Sequence, residues 1–372
     1  MDYIGRDSLL EINLSGLRHN AQEVKKILKG HRVIAVVKGN AYGHGMERVS
    51  KVLEEEGIDF FGVALLEEAL ELRSFGTEKP ILIQGAIDPN RVKEAMTNNL
   101  TLLLSDIETA KQLSLASQKL KQKAVVHIKV DTGMGRFGLL PENVLSFVKE
   151  VAQLGGIYME GIYSHLATSK STNEEYARMQ ISTFSKVVEE LKNNGYKFPL
   201  RHISNSSASI DFPEASFDIV RMGSAFLGAK VIKGLDLKSL MTLKSRVSFI
   251  KRVPPGSCIS YDMTYKTKKE TSIAVINMGY SDGLSRRFTK KGEVLIKGKR
   301  FPFAGVIGMN NAMIDVGDEN IQIGEEVVIL GRQGNEHISL QEIADKTGLA
   351  LLEFPASLSP TRIPKVYIDD IK

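Results

Sequence analysis

Eight short apolar runs in the first two thirds of the chain limit its fold more than any other feature. Each run has the length of a buried strand, and the segments between them carry apolar residues at helical spacing, several ending at glycine. The runs are VIAVVK (33–38), FFGVAL (60–65), ILIQGA (81–86), TLLLSD (101–106), VVHIKVD (125–131), GIYSHL (161–166), RHISNS (201–206) and IVRMGS (219–224). Eight such units close a parallel barrel. The pattern therefore predicts an α/β fold with a (β/α)8 TIM-like barrel, although periodicity alone also allows an open doubly wound sheet.

The pattern changes after about residue 235. Apolar runs become shorter and are separated by turns of Gly, Pro and Asn, which is typical of an all-β domain. One segment, SLQEIADKTG, predicts a helix that Ser339 caps, with Glu342 completing a capping box. We therefore expect a barrel over residues 1–235 and a mainly β carboxy-terminal domain over residues 236–372. Whether the first residues, to about position 10 with the run LLEINL, join the β domain is left open.

Composition narrows the function classes. The 372 residues are 42% hydrophobic and 25% charged, enough for a large buried core, and the longest apolar runs are strand-sized. We expect no membrane span, no secretory signal and a cytoplasmic location. The single Cys258 cannot form an intramolecular disulfide. The net charge of +5 comes from basic residues spread among 44 acidic ones, so we expect no nucleic-acid partner.

Polar residues collect where the predicted barrel strands end. Reacting groups of such barrels lie at the carboxyl ends of the strands. The residues at these ends are Lys38 after the first run, Lys129, Asp131 and Arg136 after the fifth, His165 in the sixth, His202, Asn205 and Ser206 in the seventh, and Arg221, Gly223 and Ser224 in the eighth. Core packing alone does not explain such convergence, so the sequence predicts an active site at this end of the barrel.

Lys38 is the sharpest single feature, because it directly follows the apolar run VIAVV. A lysine in that position can be desolvated, which lowers its pKa and frees its amine to form a Schiff base. The plain alternative is a lysine whose stem lies along the strand end while its amine reaches water. The loop that follows, GNAYGHG, brings Tyr42 and His44 nearby and suits either a ligand or a tight turn.

Two further loops predict an anion site. The segments NSS (205–207) and RMGS (221–224) are made of small residues whose backbone N–H groups can hold a phosphate, although Ser206 could instead cap a helix. Arg221 lies between apolar neighbours, and a half-buried arginine needs hydrogen-bond partners. We therefore expect Arg221 to have a specific partner.

Six segments in order, AVVKGNAYGHG, KVDTGMGRFG, HISNSS, RMGS, ISYDMTY and MGYSDG, resemble those of the alanine racemase family over essentially the whole chain. The resemblance implies a barrel that binds pyridoxal 5'-phosphate (PLP), followed by a β domain. It also implies a head-to-tail homodimer in which each subunit completes the other's site. The expected activity is racemisation of a small amino acid, with L-alanine to D-alanine first, and the D-product would serve cell-wall synthesis. No metal is expected.

The resemblance also assigns roles to residues. Two bases are needed to exchange the Cα proton between faces, and they would be Lys38 and Tyr261 of the partner subunit. The cofactor-binding positions correspond to Lys38, Tyr42, His165, Asn205, Ser206, Arg221, Gly223 and Ser224. The substrate side corresponds to Arg136, Met309, Tyr280 and Lys129. Lys129 matches a lysine that some members carbamylate, and the sequence does not decide whether it is modified here.

Arg221, which would face the pyridine nitrogen, bears on the type of reaction. An arginine cannot give its proton to the ring, so the ring withdraws electrons only weakly. This favours racemisation over the decarboxylation performed by enzymes of the same fold. A basic amino acid decarboxylase and a non-catalytic PLP carrier remain the competing interpretations, and the β domain with Tyr261 argues against the carrier.

The sequence departs from the family pattern at five positions. Val306, Gly308 and Asn310 stand where a basic residue, a cysteine and an aspartate are usual. Asp262 replaces a glycine after Tyr261, and Thr361 stands near a position that is often tyrosine. Smaller residues at 308 and 361 would widen the substrate pocket. A preference for serine, lysine or ornithine is therefore the alternative to alanine.

Overall fold

The computed structural model describes residues 7–28, 30–168, 170–229, 232 and 234–369, without the side chains of residues 170 and 171. The described residues form two compact units. One contains residues 21–41 and 46–226, and the other contains residues up to 20, residues 42–45 and residues from 227 onward. No helix in these ranges is both long and apolar enough to cross a membrane.

The strands and helices of the described ranges have the following bounds. The strands are β1 (Leu9–Asn13), β2 (Arg32–Val36), β3 (Phe60–Val63), β4 (Ile81–Ile83), β5 (Leu100–Leu104), β6 (Ala124–Lys129), β7 (Ile157–Tyr163), β8 (Leu200–His202), β9 (Ile219–Met222), β10 (Met241–Val253), β11 (Cys258–Ile259), β12 (Tyr265–Lys266), β13 (Thr271–Ile276), β14 (Glu293–Ile296), β15 (Lys299–Pro302), β16 (Ala312–Gly317), β17 (Glu326–Gln333), β18 (Glu336–Ile338) and β19 (Lys365–Ile368). The helices are α1 (Leu14–Leu28), α2 (Lys38–Tyr42), α3 (Met46–Glu55), α4 (Leu66–Ser74), α5 (Val92–Thr97), α6 (Ile107–Leu120), α7 (Val144–Gln153), α8 (Lys170–Asn193), α9 (Ala208–Asp211), α10 (Leu340–Thr347) and α11 (Glu353–Ser357). Short 3₁₀ turns cover Pro89–Arg91, Pro141–Asn143, Pro213–Ala215, Tyr261–Met263, Tyr280–Asp282 and Arg286–Phe288.

The first unit is the predicted barrel. Strands β2 to β9 form one parallel sheet in the order β8-β7-β6-β5-β4-β3-β2-β9. Two backbone hydrogen bonds join its ends, from Asp218 N–H to the Arg201 carbonyl (3.1 Å) and from Arg221 N–H to the Ser204 carbonyl (3.3 Å). The prediction of a barrel with a following β region is confirmed, and the open doubly wound sheet is excluded.

Apolar side chains from five barrel strands form a common core. Burial of these side chains stabilises the sheet, and the cluster consists of Ile34, Phe60, Leu82, Leu200 and Ile219. The helices predicted to end at glycine do so, because a left-handed residue terminates α3, α4 and α8 at positive φ, for example 91° at Gly76.

The predicted strand limits were too long at several carboxyl ends. Strand β2 ends at Val36, and β7 ends at Tyr163. Lys38 and His165 therefore lie beyond the strands, in the loops that follow them. The apolar sequence extends past the last strand residue because residues such as Val37 and Leu166 are buried although they lie outside the strands.

The second unit contains a nine-stranded sheet organised around the long strand β10. Strand β10 pairs antiparallel with β1 and β17 in its first half and with β13 in its second half. Strand β1 also pairs with β19 in parallel, which places residues 9–13 in this sheet. Helix α10 is capped as predicted, since the Ser339 hydroxyl accepts the Glu342 N–H (3.1 Å). The predicted capping box is not completed, because the Glu342 carboxylate accepts hydrogen bonds from Arg300 instead of from the Ser339 backbone.

Candidate active site

The backbone after Lys38 is left-handed over four successive residues. The φ angles are 61° at Gly39, 53° at Asn40 and 52° at both Ala41 and Tyr42. A non-glycine residue in this region costs roughly 1–2 kcal/mol, and such strain collects at functional sites. The conformation is held by specific contacts, because the Glu68 carboxylate accepts the Gly39 N–H at 2.6 Å.

Further hydrogen bonds fix the same turn. The Asn40 side-chain oxygen accepts the Met46 N–H (2.7 Å), and the Ala41 N–H donates to the Val37 carbonyl (2.7 Å). The Glu68 carboxylate also accepts the Ala64 N–H (2.8 Å), which ties the turn to the end of β3. The position of Lys38 is therefore set by its own loop and by the neighbouring strand.

The surroundings of Lys38 favour its neutral amine. Burial lowers the pKa of Lys38 most, the positive charges of Arg136 and Arg221 lower it further, and Glu68 opposes the shift. A neutral amine is the nucleophilic and proton-accepting form of lysine. The desolvated lysine that the sequence predicts is thus present, and the alternative of an amine in open water is not favoured.

Lys129, Tyr163 and His202 form one layer across three adjacent strands. They are register partners on β6, β7 and β8. The Tyr163 ring stacks on His202 at 4.7 Å between centroids, and the Lys129 Nζ lies 4.7 Å from the Tyr163 ring centroid. Burial and the charge of Arg221 hold the pKa of Lys129 well below its ordinary value. The interior of the barrel end is therefore built from polar groups rather than from core hydrophobes.

Arg221 is only 3% exposed and has the specific partners that the sequence requires. One guanidinium nitrogen donates to His202 Nδ1 (2.7 Å). The other donates to the carbonyls of Ser164 (2.9 Å) and Ile203 (3.0 Å) and to His165 Nδ1 (3.0 Å). Burial lowers the pKa of Arg221 to about 10, so the side chain stays protonated at neutral pH.

These contacts determine the state of His165. Because arginine only donates hydrogen bonds, His165 must accept at Nδ1 and carry its proton on Nε2. Burial, followed by the positive charges of Arg221 and Lys129, lowers the pKa of His165 to about 2. His165 is thus a neutral histidine with a defined tautomer.

The loops after β8 and β9 are joined through Ser206. Its hydroxyl oxygen accepts the N–H groups of Gly223 (3.1 Å) and Ala225 (3.4 Å), and its own proton remains for another acceptor. The Asn205 side-chain oxygen accepts the Ser207 and Ala208 N–H groups, just before and at the start of α9. The structure therefore brings Asn205, Ser206 and Gly223 together. Ser224 follows Gly223 in the sequence and is partly buried.

Basic side chains are concentrated at this end of the barrel. The basic groups that influence one another are Lys38, Lys129, Arg136 and Arg221, and the two arginines carry permanent positive charge. The nearby carboxylates already have partners, since Glu68 accepts backbone N–H groups and Asp131 accepts those of residues 133–135. Arg136 is exposed. This charge balance suits a ligand that carries several negative charges.

The remaining predicted site residues lie in the second unit. Tyr261 is 70% exposed on a turn in which Ser260 and Asp262 have φ of 67° and 57°. Tyr280 and Met309 lie on loops joined by hydrogen bonds, including Tyr280 N–H to the Gly308 carbonyl (3.0 Å). Tyr42 is partly buried, and its carbonyl is 3.2 Å from His44 Nδ1.

The structure explains two departures from the family pattern. Asp262 has left-handed backbone, where glycine is the least strained residue and aspartate is among the better tolerated ones. The Asn310 side-chain oxygen accepts hydrogen bonds from Arg362 (3.0 Å) and Ser281 (3.0 Å). Val306 is buried, and Thr361 is exposed.

Comparison with known proteins identifies the family. Residues 12–231 match the family described as "Alanine racemase, N-terminal domain", and residues 240–367 match "Alanine racemase, C-terminal domain". The chain belongs to the alanine racemase family. It is therefore a PLP-dependent amino acid racemase.

Individual relatives cover nearly the whole chain. "Alanine racemase 1" of Caldanaerobacter subterraneus is 40% identical over 98% of this chain and 96% of its own length. The solved structure of an alanine racemase from Clostridium difficile 630 has a TM-score of 0.93 at 34% identity, covering 100% of this chain and 98% of that one. A histidine racemase from Leuconostoc mesenteroides has a TM-score of 0.89 at 25% identity, covering 99% of both chains.

The barrel end fits the cofactor of this racemase family. A desolvated Lys38 amine suits the PLP aldehyde, and the positive charges of Arg136 and Arg221 suit its phosphate and phenolic oxygen. Arg221, held by four hydrogen bonds, presents a permanent cation to whatever lies against it. These are properties of the described residues themselves.

Several residues of this polar cluster were not among the site residues predicted from the sequence. They are Glu68, His127, Glu160, Tyr163 and Gln180. Gln180 is fully buried and donates to the His165 carbonyl (3.2 Å), which holds the loop that carries His165. His127 offered the one available signal, a histidine inside the apolar run VVHIKV.

Proposed function

We propose that the protein interconverts L-alanine and D-alanine by a two-base mechanism. The proposal is supported by relatives named alanine racemases, at up to 40% identity over 98% of this chain. The observation that carries it is the Lys38 amine, desolvated and held by a strained turn in a barrel end rich in cations. When bound, PLP links to the amino group of the substrate and withdraws electrons from Cα.

Lys38 exchanges a proton on one face of the substrate Cα. Its lowered pKa makes the neutral amine available as a base at neutral pH. The left-handed turn keeps the amine near one position, because the Glu68 and Asn40 hydrogen bonds restrain the backbone on its carboxyl side. Tyr42, Asn205, Ser206, Gly223 and Ser224 would hold the phosphate end of the cofactor.

Arg221 keeps the reaction directed to proton exchange. Its pKa of about 10 and its hydrogen bonds leave it protonated and fixed, so it would face the cofactor ring as a hydrogen-bond donor that does not give up its proton. The cofactor would then withdraw electrons only weakly. Racemisation suits this arrangement better than decarboxylation.

Tyr261 of the partner subunit supplies the second base, and the active form is a head-to-tail homodimer. The second unit carries large apolar side chains in water, with Tyr261 70%, Met263 71%, Met309 55% and Phe249 52% exposed. Phe249 and Tyr261 line one open cavity of about 500 Å³. Several large apolar side chains exposed on one unit are typical of a subunit interface.

Lys129 is carbamylated in the active enzyme. The residue is 3% exposed, and burial holds its pKa well below the ordinary value, so the neutral form that reacts with carbon dioxide is favoured. The carbamate would add a negative charge among Arg136, Arg221 and Lys38. It would orient Arg136, which is otherwise exposed, toward the substrate and the phenolic oxygen of the cofactor.

A preference for serine, lysine or ornithine is the second candidate function. It is supported by the small residues Gly308 and Thr361, and by the histidine racemase of the same fold at 25% identity. Met309 and Tyr280 would contact the substrate in either case.

Chiral chromatography after incubation with single L-amino acids tests both candidates. We expect D-alanine from L-alanine with the highest kcat/KM of a panel containing alanine, serine, lysine and ornithine, and no D-product from Lys38→Ala. The neighbouring surface variant Lys51→Ala is the matched control and should retain activity. A higher kcat/KM for serine, lysine or ornithine would replace the first candidate by the second, and carbon dioxide release would revive the decarboxylase.

A further inference from the structure

A chain of hydrogen bonds leads from Arg221 through the barrel wall to a carboxylate. His202 Nδ1 lies 2.7 Å from the Arg221 guanidinium, and its Nε2 lies 2.9 Å from His127 Nδ1. His127 Nε2 lies 3.1 Å from a carboxylate oxygen of Glu160. Both histidines are completely buried, whereas the Glu160 side chain is 23% exposed. Glu160 is therefore the outer end of a line that begins at the site.

The chemistry of the two ends fixes the direction of every proton in this line. Arg221 can only donate, so His202 accepts at Nδ1 and is protonated on Nε2. His202 then donates to His127 Nδ1, which leaves the His127 proton on Nε2. The ionised Glu160 can only accept, and it receives that proton's hydrogen bond. All donors thus point from Arg221 toward Glu160.

Gly161 makes the approach of His127 possible. The two residues are register partners on β6 and β7. A Cβ atom at position 161 would lie 2.7 Å from three atoms of the His127 ring, closer than nonbonded atoms approach one another. Only glycine leaves space for the ring against β7, next to the residue that carries the carboxylate.

The groups around the two histidines favour their neutral forms. His127 is faced by Glu160, Tyr163 and Arg221, and His202 is faced by Arg221, Tyr163 and Lys129. Burial has the largest effect and lowers the pKa of both histidines; Glu160 opposes this shift at His127, and the Arg221 charge lowers the pKa of both. Two neutral rings can pass on a tautomer preference without carrying charge.

We propose that Glu160 is a positioning residue for the racemase site, because it accepts the His127 Nε2–H and so holds the His127 and His202 rings where they complete the hydrogen bonds of Arg221. The inference rests on the proposed function, which places Arg221 against the cofactor ring. Because Arg221 only donates, both histidines keep their tautomers when the acceptor at position 160 is removed. The buried His127 Nε2–H then has no partner, so the His127 ring shifts and the hydrogen bond from His202 to Arg221 is weakened.

Nitrogen-15 NMR of histidine-labelled protein tests the tautomers directly, with His127→Gln and His202→Gln used for assignment. We expect the Nε2–H tautomer at both histidines in the wild-type protein at pH 7. A protonated ring or an Nδ1–H tautomer at either position overturns the inference. Either variant alone identifies one ring of the pair in the wild-type spectrum, so one variant that does not fold leaves the test in place.

Two substitutions separate the acceptor from the charge. Glu160→Gln keeps a carbonyl oxygen for His127, so it should preserve the tautomers and most of kcat. Glu160→Leu removes the acceptor, so it should shift the His127 Nε2 resonance without changing either tautomer, and it should lower kcat roughly tenfold with little change in KM. The exposed Glu150→Leu is the matched control and should behave as wild type.

The outcomes distinguish this inference from the proposed function. An unchanged His127 Nε2 resonance and an unchanged kcat in Glu160→Leu overturn the role of Glu160 while alanine racemisation stands. Absence of racemisation in the wild-type protein, with the expected tautomers, overturns the proposed function and leaves the hydrogen-bonded line in place.

Discussion

The barrel end and the exposed turns of the β unit provide the predicted site residues in opposite ways. In the barrel, Arg221 and His202 are buried and already hydrogen-bonded to one another. In the β unit, Tyr261 and Met309 stand largely in water on loops rather than in strands. The barrel groups therefore have their geometry and protonation set by the fold of a single chain.

The difference indicates where each half gains its function. Buried groups with fixed partners are preorganised, so they need no rearrangement when a ligand arrives. Exposed apolar side chains gain most when another surface covers them. In the proposed homodimer, the barrel supplies the preorganised reacting groups. The β unit completes the active site of the partner when the two subunits associate.

Mixing two inactive variants should give the largest effect, and it tests whether one active site combines residues of two subunits. Lys38→Ala damages only the barrel half, and Tyr261→Phe damages only the β half. If each site combines Lys38 with Tyr261 of the partner subunit, a heterodimer of the two variants has one intact site. Random exchange should then restore about one quarter of wild-type activity, measured per subunit after co-refolding.

Either parent alone should show less than about one hundredth of wild-type activity in at least one direction. A mixture that stays as inactive as its parents, although mass spectrometry detects heterodimers, would place both bases on one chain.

Acid should lower the free energy of unfolding, because three histidines of the barrel are neutral in the folded protein. The pKa values of His127, His165 and His202 are lowered in the folded protein, so below about pH 6.5 the unfolded chain binds more protons. The free energy of unfolding is therefore highest above that pH, where the histidines are neutral in both states. It decreases as the pH falls toward their pKa in the folded protein. Each histidine contributes up to about 1.4 kcal/mol per pH unit.

Thermal unfolding between pH 7.5 and 5 measures this effect. His127→Gln should reduce the slope of stability against pH by about one proton. His19→Gln, a surface substitution in the other unit, is the control. Equal slopes for His127→Gln and wild type would contradict the buried, neutral state of His127.

A smaller effect should come from the loops that carry Tyr280 and Met309. A Cβ at Gly279 would lie 2.3 Å from the Gly308 carbonyl oxygen, so Gly279→Ala must move the Met309 loop. We expect a loss of about 1–3 kcal/mol and a Tm lower by a few degrees. Gly155→Ala, where no atom lies within 4 Å of the added Cβ, is the matched control. Equal melting temperatures for the two variants would show that the Met309 loop is not tightly held.

The sequence predicted the barrel because parallel strands are buried on both faces and read as apolar runs. It predicted Lys38 and Arg221 because a charge beside such a run is conspicuous. The strand ends were less accurate, since buried residues such as Val37 extend the run beyond the ladder. These successes depend on local pattern alone.

The connections among polar groups could not be read from the sequence. Glu160, His127 and His202 lie on three different strands, and their contacts depend on strand register and on the space left by Gly161. The apolar run VVHIKV gave only the hint of a histidine that needs a partner. Similarly, the left-handed backbone at Asp262 followed from the fold and not from its residue type.

The closing seam of the barrel has a consequence for how the enzyme is made. Ile34 of β2 pairs with Arg221 of β9, so the strand that leads to Lys38 gains β3 early and its second neighbour only near the end of barrel synthesis. At roughly 5–20 residues per second, this edge stays open on the ribosome for about 10–40 seconds. Slower translation between β3 and β9 would lengthen the interval in which a nascent chain exposes a hydrophobic edge, and would increase its demand for chaperones.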